Sequence, residues 1–324
     1  MNGRKGKHII SASRRTDIPK FYGEWFMKRI KEGYCMVPNP LFPSKAYEVS
    51  LKPEDVLAIV FWSKDPKPLI PHLSVLDEKK FRYYFQLTLN NYDRELEPCV
   101  PDLERRVDTF LELSGRLGRD RVIWRYDPII LSNKTGVDFH LENVDKISHM
   151  LKGATERLVI SFIDDYNKTK ARLDRLKSDP GYDFSADPLS ADGLDELLAG
   201  INQMAQGSGL KVFSCAEDVD LAKYNIEKGS CIDAELIEKI WPELLWDKDF
   251  QKLHKNKNLK KDPNQRPACL CVTSKDIGEN NTCRHGCAYC YATSGTKEPG
   301  EYNKDHNSGW DSITGDCVRT EVVA

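Results

Sequence analysis

Cys283, Cys287 and Cys290 place three thiols in one short loop at the spacing C-x3-C-x2-C. Three thiolates spaced this way can wrap one face of an iron–sulfur cubane, each holding its own iron and leaving the last corner open. Zinc accepts the same soft donors, and His285 inside the loop offers a Cys3His set, so donor type alone does not separate the two. Four further thiols, Cys269, Cys271, Cys215 and Cys231, are candidates for additional metal ligation. Cys271 could close the cubane as its remaining ligand, while Cys269, Cys215 and Cys231 could make a second site. The alternative for Cys215 and Cys231 is a packing role, since free cysteines often serve as small buried hydrophobes. Cys35, Cys99 and Cys317 stand apart and carry no assignment. Of ten cysteines, five crowd between Cys269 and Cys290. In a reducing compartment that crowding argues for a metal or redox centre and against a disulfide framework.

These side chains need a scaffold, and the chain supplies an alternating one. Segments rich in β-branched and aromatic residues lie at His8–Ser13, Ala58–Ser63, Tyr83–Leu89, Val122–Asp127, Leu158–Ile163 and Lys211–Cys215. Helical periodicity fills the intervals at Lys20–Lys31, Asp102–Leu117, Leu141–Leu151, Asp165–Leu176 and Asp192–Gln206. Repeated strand–helix alternation predicts a parallel sheet, because parallel strands need crossovers long enough to hold a helix. The expected fold is α/β: a whole or partial (β/α) TIM-like barrel of about six to eight parallel strands, with a cysteine-rich segment at the C-terminus. Residues 8–265 would form the barrel core, 266–294 a segment closing on its mouth, and 295–324 a polar tail. Nearly every expected strand runs out into polar residues: Arg14 and Asp17, Ser63 and Lys64, Arg125 and Asp127, Asp164, and Glu217 beyond Cys215. Barrel enzymes assemble their sites at that face. The plainer reading of each loop is ordinary capping, with Asp17 opening a helix that has Pro19 in its first turn. The proline-rich stretch Tyr34–Ser50 predicts an extended excursion with a short strand at Tyr47–Leu51.

Composition excludes several classes. Hydrophobic residues make up 40% and charged residues 30% of the chain, outside the disordered range. A net charge of −2 gives no general attraction to nucleic acid, although it does not exclude a local basic strip that binds it. The lysines from Lys248 to Lys261 are interrupted by acidic residues and read as a solvated helix face. No apolar run approaches the ~18 residues of a membrane span. The N-terminus has no apolar signal-peptide core, so the expected location is cytoplasmic, with no membrane partner.

Tyr289, just before the last loop cysteine, makes the loop resemble the signature of the radical S-adenosylmethionine superfamily. The wider chain, from Ile9 to Ala292, resembles domain of unknown function family 1848. It does so through Ser11-Ala12-Ser13-Arg14-Arg15-Thr16-Asp17-Ile18-Pro19, Trp124-Arg125-Tyr126-Asp127-Pro128 and Gln265-Arg266 before the cysteines. That family's C-terminal cysteines are regarded as similar to the radical S-adenosylmethionine motif. The resemblance implies a [4Fe–4S] cluster on Cys283, Cys287 and Cys290, with S-adenosylmethionine on the open iron. It implies reductive cleavage of that cofactor, hydrogen abstraction from an unknown substrate, and an electron donor such as a flavodoxin or ferredoxin. Tyr289, Asp17 and Arg14 would then contact the cofactors, while Arg125, Asp127 and Glu217 would serve catalysis. The alternative is a non-catalytic iron–sulfur electron carrier or a zinc-binding protein. In the superfamily the cysteine loop follows the first barrel strand, whereas here it comes last. A circular permutation reconciles the two, with Ala268–Thr273 expected as the strand that feeds the loop.

Overall fold

The computed structural model describes residues 6–39, 42, 45–164, 167–179, 181–255, 262 and 265–317. Asp165, Tyr166 and the basic stretch beyond Lys255 lie outside the described residues.

The strands are β1 (His8–Ala12), β2 (Tyr34–Pro38), β3 (Ala46–Ser50), β4 (Val56–Ser63), β5 (Tyr83–Thr88), β6 (Val122–Ile129), β7 (Arg157–Phe162), β8 (Lys211–Cys215), β9 (Glu227–Gly229) and β10 (Lys275–Asp276). The α-helices are α1 (Ile18–Phe21), α2 (Gly23–Glu32), α3 (Leu73–Glu78), α4 (Leu103–Leu117), α5 (Val137–Met150), α6 (Asn167–Ser178), α7 (Leu194–Gly207), α8 (Ala234–Ile240) and α9 (Lys248–Lys255). Eight strands form one sheet in the order β10-β1-β4-β5-β6-β7-β8-β9, every neighbouring pair parallel. From β1 to β9 spatial order follows chain order, as short right-handed crossovers favour. The last strand, β10, returns to pair with the first. β2 and β3 form a separate antiparallel hairpin, so the expected excursion over Tyr34–Ser50 carries two strands rather than one.

Both faces of the sheet are buried, and the strand period of two sorts the residues between them. One face packs Ile10, Phe61, Phe85, Trp124 and Ile160 against helical residues such as Ile30, Phe110, Ile147 and Ile201. The other packs Ile9, Val60, Tyr84, Ile123 and Val159 against Ile232, Ile237, Phe250 and Val272. That second face is covered by the chain between β9 and β10, which includes α8, α9 and three cysteines, Cys231, Cys269 and Cys271. Ala268–Thr273 is not a strand, contrary to its alternating sequence. Among the described residues its backbone contacts include Val272 N–H to the Ile232 carbonyl at 3.2 Å and Asp262 N–H to the Cys271 carbonyl at 3.1 Å, and the strand that precedes the cysteine loop is β10, further on.

Residues 295–317 pack against α2: Trp25 Nε1 donates to the Trp310 carbonyl at 3.0 Å, and Ile313 is fully buried. Among the described residues no helix is long and apolar enough to cross a membrane.

Candidate functional site

A cavity of about 870 Å³ lies at the carboxyl ends of the strands. The ends of all six strands expected from the sequence contribute to it, through Asp17, Lys64, Thr88, Asp127, Asp164 and Cys215 among others. Cys283, Cys287 and Cys290 line the same cavity, as do Cys215, Cys231, Cys269 and Cys271. Seven of the ten cysteines thus face one space. Among the described residues, no three or more His, Cys, Asp or Glu side chains form a group able to hold a single metal ion.

The cysteine loop is tied down mostly through its backbone. Ala288 N–H donates to the Leu96 carbonyl at 3.0 Å, and Cys99 N–H to the His285 carbonyl at 3.1 Å. Arg172 of α6 gathers the carbonyls of Ala288, Cys290 and Thr293 with its guanidinium. Gly286 has a φ of 72°, and a Cβ there would meet Pro299 Cγ at 2.3 Å. Only glycine suits that turn. Burial pushes the Cys287 thiol up to about 12 and the Cys283 thiol up as well, so both are neutral without a metal.

His285 points away from a ligand role. Its Nε2 meets Asp17 Oδ2 at 2.9 Å, deep in the protein. Asp17 also accepts from Lys20 N–H (3.0 Å), Ser63 Oγ (2.7 Å) and Lys64 N–H (2.8 Å). It therefore caps α1, the plainer of its two readings, and at the same time pins the cysteine loop to the ends of β1 and β4. Burial alone would raise the Asp17 carboxyl, but these donors, His285 first, hold it below its ordinary value.

Tyr289 sits against a pair that the sequence did not reveal. Lys64 Nζ lies 2.7 Å from Glu97 Oε1 and 3.0 Å from the Tyr289 hydroxyl, which itself donates to Glu97. Glu97 is 2% exposed. It comes from an irregular loop with no periodic signal, so only the fold brings it to Lys64.

On the opposite wall Arg125 clamps Asp127 through Nε (2.9 Å) and Nη2, and its Nη1 reaches Cys231 Sγ at 2.8 Å. Asp127 also accepts from Ser161. Burial raises the Asp127 carboxyl less than Arg125 and these donors lower it, so it stays ionised. Arg14 donates its backbone N–H to Asp276 at 2.9 Å and stacks over Trp62 at 5.3 Å. Its Nη2 is buried without a hydrogen-bond partner among the described residues.

Glu217 stands just behind the wall, accepting from Phe162 N–H at 2.9 Å. Burial raises its carboxyl to about 7. A raised carboxyl favours the protonated form in the fold, so the unfolded chain ionises first as pH rises. Stability is then full below about 4.5 and is lost as pH climbs toward about 7. Glu217→Gln should therefore gain stability over wild type with pH, from about 1 kcal/mol near pH 5 to about 3 kcal/mol near pH 8. Urea unfolding at the two pH values measures this, and an unchanging difference would mean Glu217 is ionised in the fold.

Fold and site together define a parallel α/β protein with a cysteine-lined cavity at the carboxyl ends of its strands. The chain belongs to the family described as domain of unknown function (DUF1848), whose sequence model matches residues 9–292. No curated protein matches the chain.

Proposed function

We propose that this chain is a radical S-adenosylmethionine-type enzyme, built on a partial (β/α) barrel, with its [4Fe–4S] cluster on Cys283, Cys287 and Cys290. The observation that carries the reading is the shared cavity: the three loop thiols face the same space as six strand ends. The donor set fits a multi-iron cluster. Each sulfur takes its own iron, so the thiols need no common centre at one ion, and three of them leave a corner for an outside ligand. The cavity volume lies within the ~300–1,000 Å³ usual for small-molecule sites. The permuted order fits as well, since β10 precedes the cysteine loop and lies beside β1, as a first barrel strand lies beside the second. When bound, such a cluster supplies the electron for reductive cleavage of the sulfonium of S-adenosylmethionine.

The chain's own residues then do ordinary work. Arg14, with an unused buried N–H, can receive a carboxylate at the cavity wall. Tyr289, fixed by Glu97 and Lys64, holds its ring beside the cysteines. Arg125 and Asp127 present a rigid ion pair that can orient a polar substrate. Glu217, behind the wall, braces the end of β7 through the Phe162 N–H and takes no direct part at the cavity. The aromatic and aliphatic walls, Trp62 and Ile163 among them, keep water from the reacting centre.

Protein purified without oxygen and reconstituted with iron and sulfide should release 5′-deoxyadenosine from S-adenosylmethionine when dithionite is added. Stoichiometric zinc without acid-labile sulfide, or a cluster indifferent to S-adenosylmethionine, would overturn the reading.

A further inference from the structure

Cys215 and Cys231 meet across the short parallel ladder of β8 and β9. Cys215 is the last residue of β8 and pairs with Gly229, and Cys231 follows two residues later. A Cβ at Gly229 would lie 2.8 Å from Phe213 Cβ, so glycine there lets the two strands approach and carries Cys231 against Cys215. The sulfurs end 3.0 Å apart. The Cys231 backbone is fixed from behind, its carbonyl accepting from the Tyr84 hydroxyl at 2.6 Å and from Gln86 Nε2 at 3.0 Å. Both thiols line the cavity, Cys231 at 5% exposure and Cys215 the more open of the two.

The separation decides between roles. Two thiolates sharing one tetrahedral metal, with bonds of ~2.3 Å, sit about 3.8 Å apart. The pair is therefore too close for the second metal site expected from Cys269, Cys215 and Cys231. Apolar packing gives no reason for sulfur to face sulfur beside a cation, yet Arg125 Nη1 reaches Cys231 Sγ at 2.8 Å. A guanidinium at that distance favours a thiolate, the reactive form of cysteine. An S–S bond of about 2.05 Å needs only ~1 Å of further approach.

We propose that Cys215 and Cys231 are a redox-active dithiol, which passes two electrons to a small-molecule disulfide bound in the cavity. A space of about 870 Å³ admits such a molecule but not a folded protein. Cys215, the more open thiol, attacks as thiolate. Its sulfur bonds to one sulfur of the acceptor, the acceptor's S–S bond breaks, and the departing thiolate takes the Cys231 proton. Cys231, its new negative charge facing Arg125, then attacks Cys215. The Cys215–Cys231 bond forms, the mixed disulfide breaks, and the second thiolate leaves. Two cysteines are oxidised to one disulfide, and one acceptor disulfide is reduced to two thiols. The chemistry needs no cluster, so it stands apart from the reading of the cysteine loop.

The test exposes full-length protein, kept anaerobic and reduced, to glutathione disulfide, then alkylates it and maps the peptides by mass spectrometry. A Cys215–Cys231 link should form, with two glutathiones released and two alkylatable thiols lost for each link. Cys231→Ser should stop at a glutathione adduct on Cys215, while Cys215→Ser should leave Cys231 alkylatable. Mapping of the wild type requires no variant, so a substitution that misfolds does not blur the result. Cys215 and Cys231 both alkylated after exposure, or Cys231 joined to Cys269 or Cys271 instead, would overturn the dithiol. A glutathione adduct that stays unresolved on wild-type Cys215 does the same. A chain that forms the link but releases no 5′-deoxyadenosine keeps the dithiol and sinks the loop reading alone.

Discussion

Replacing Cys287 with alanine is expected to reduce release of 5′-deoxyadenosine from S-adenosylmethionine to background while leaving the protein folded. The side chain is small and 7% exposed, so its loss costs only about 1 kcal/mol of packing. The catalytic consequence is far larger, because two thiolates cannot hold a cubane against exchange with solvent as three can. Asp17→Asn separates ligation from positioning. It keeps all three thiols but weakens the acceptor that fixes His285 at 2.9 Å, and hence the loop. Removing an outer support of this kind lowers metal affinity or turnover by about 10–100-fold. The two variants should therefore differ in kind: Cys287→Ala loses the sulfide that the loop binds, whereas Asp17→Asn keeps it and turns over slowly. Wild-type turnover by Cys287→Ala would remove the loop from the chemistry altogether.

The contrast between these residues also marks what the sequence could disclose. Six strands were legible: β1, β4, β5, β6 and β7 are buried on both faces, which continuous β-branched and aromatic runs announce, while β8, buried only at Val212 and Ser214, occupies Lys211–Cys215, the range its sequence predicts. β9 and β10 were not, being three and two residues long and built from Glu227-Lys228-Gly229 and Lys275-Asp276. Nothing in such polar pieces predicts a ladder; their neighbours impose it. The alternation at Ala268–Thr273 was real but misread. It reflects a segment with an inside and an outside, Cys271 in and Leu270 out, rather than a hydrogen-bonded strand. The reactive strand ends could be named one by one, since each follows an apolar run. Their partners could not: Glu97 and Asp276 acquire meaning only where distant segments meet Lys64 and Arg15.

Asp276→Ala should be among the most damaging single substitutions in the chain, costing about 3–5 kcal/mol. β10 is too short to hold its place by ladder bonds alone, so the joint rests on this carboxylate. Asp276 accepts from Ser11 Oγ at 2.6 Å, Ser13 Oγ at 2.7 Å, Arg14 N–H at 2.9 Å, Gly278 N–H at 3.0 Å and Arg15 Nε at 3.2 Å. Burial would raise its carboxyl, but Arg15 and the other donors hold it below its ordinary value. Alanine leaves the Arg15 Nε–H, two hydroxyls and two amides without this acceptor, although Arg15 Nη2 keeps the Asp276 carbonyl at 2.9 Å. Because the depressed carboxyl is ionised in the fold, its contribution is present above the ordinary aspartate range and fades as pH falls through the lowered value. Gly278→Ala attacks the same joint from the other side, since a Cβ there would lie 1.9 Å from Ser13 Oγ. Both variants should show a large drop in urea midpoint, while Asp195→Ala, at a side chain 81% exposed, should keep the wild-type midpoint. A wild-type midpoint for Asp276→Ala would mean that the cysteine loop is held by its contacts with Asp17, Leu96, Cys99 and Arg172 without this seam. A fall at Asp276 with those contacts intact places the seam between the first and last strands at the centre of the site's stability.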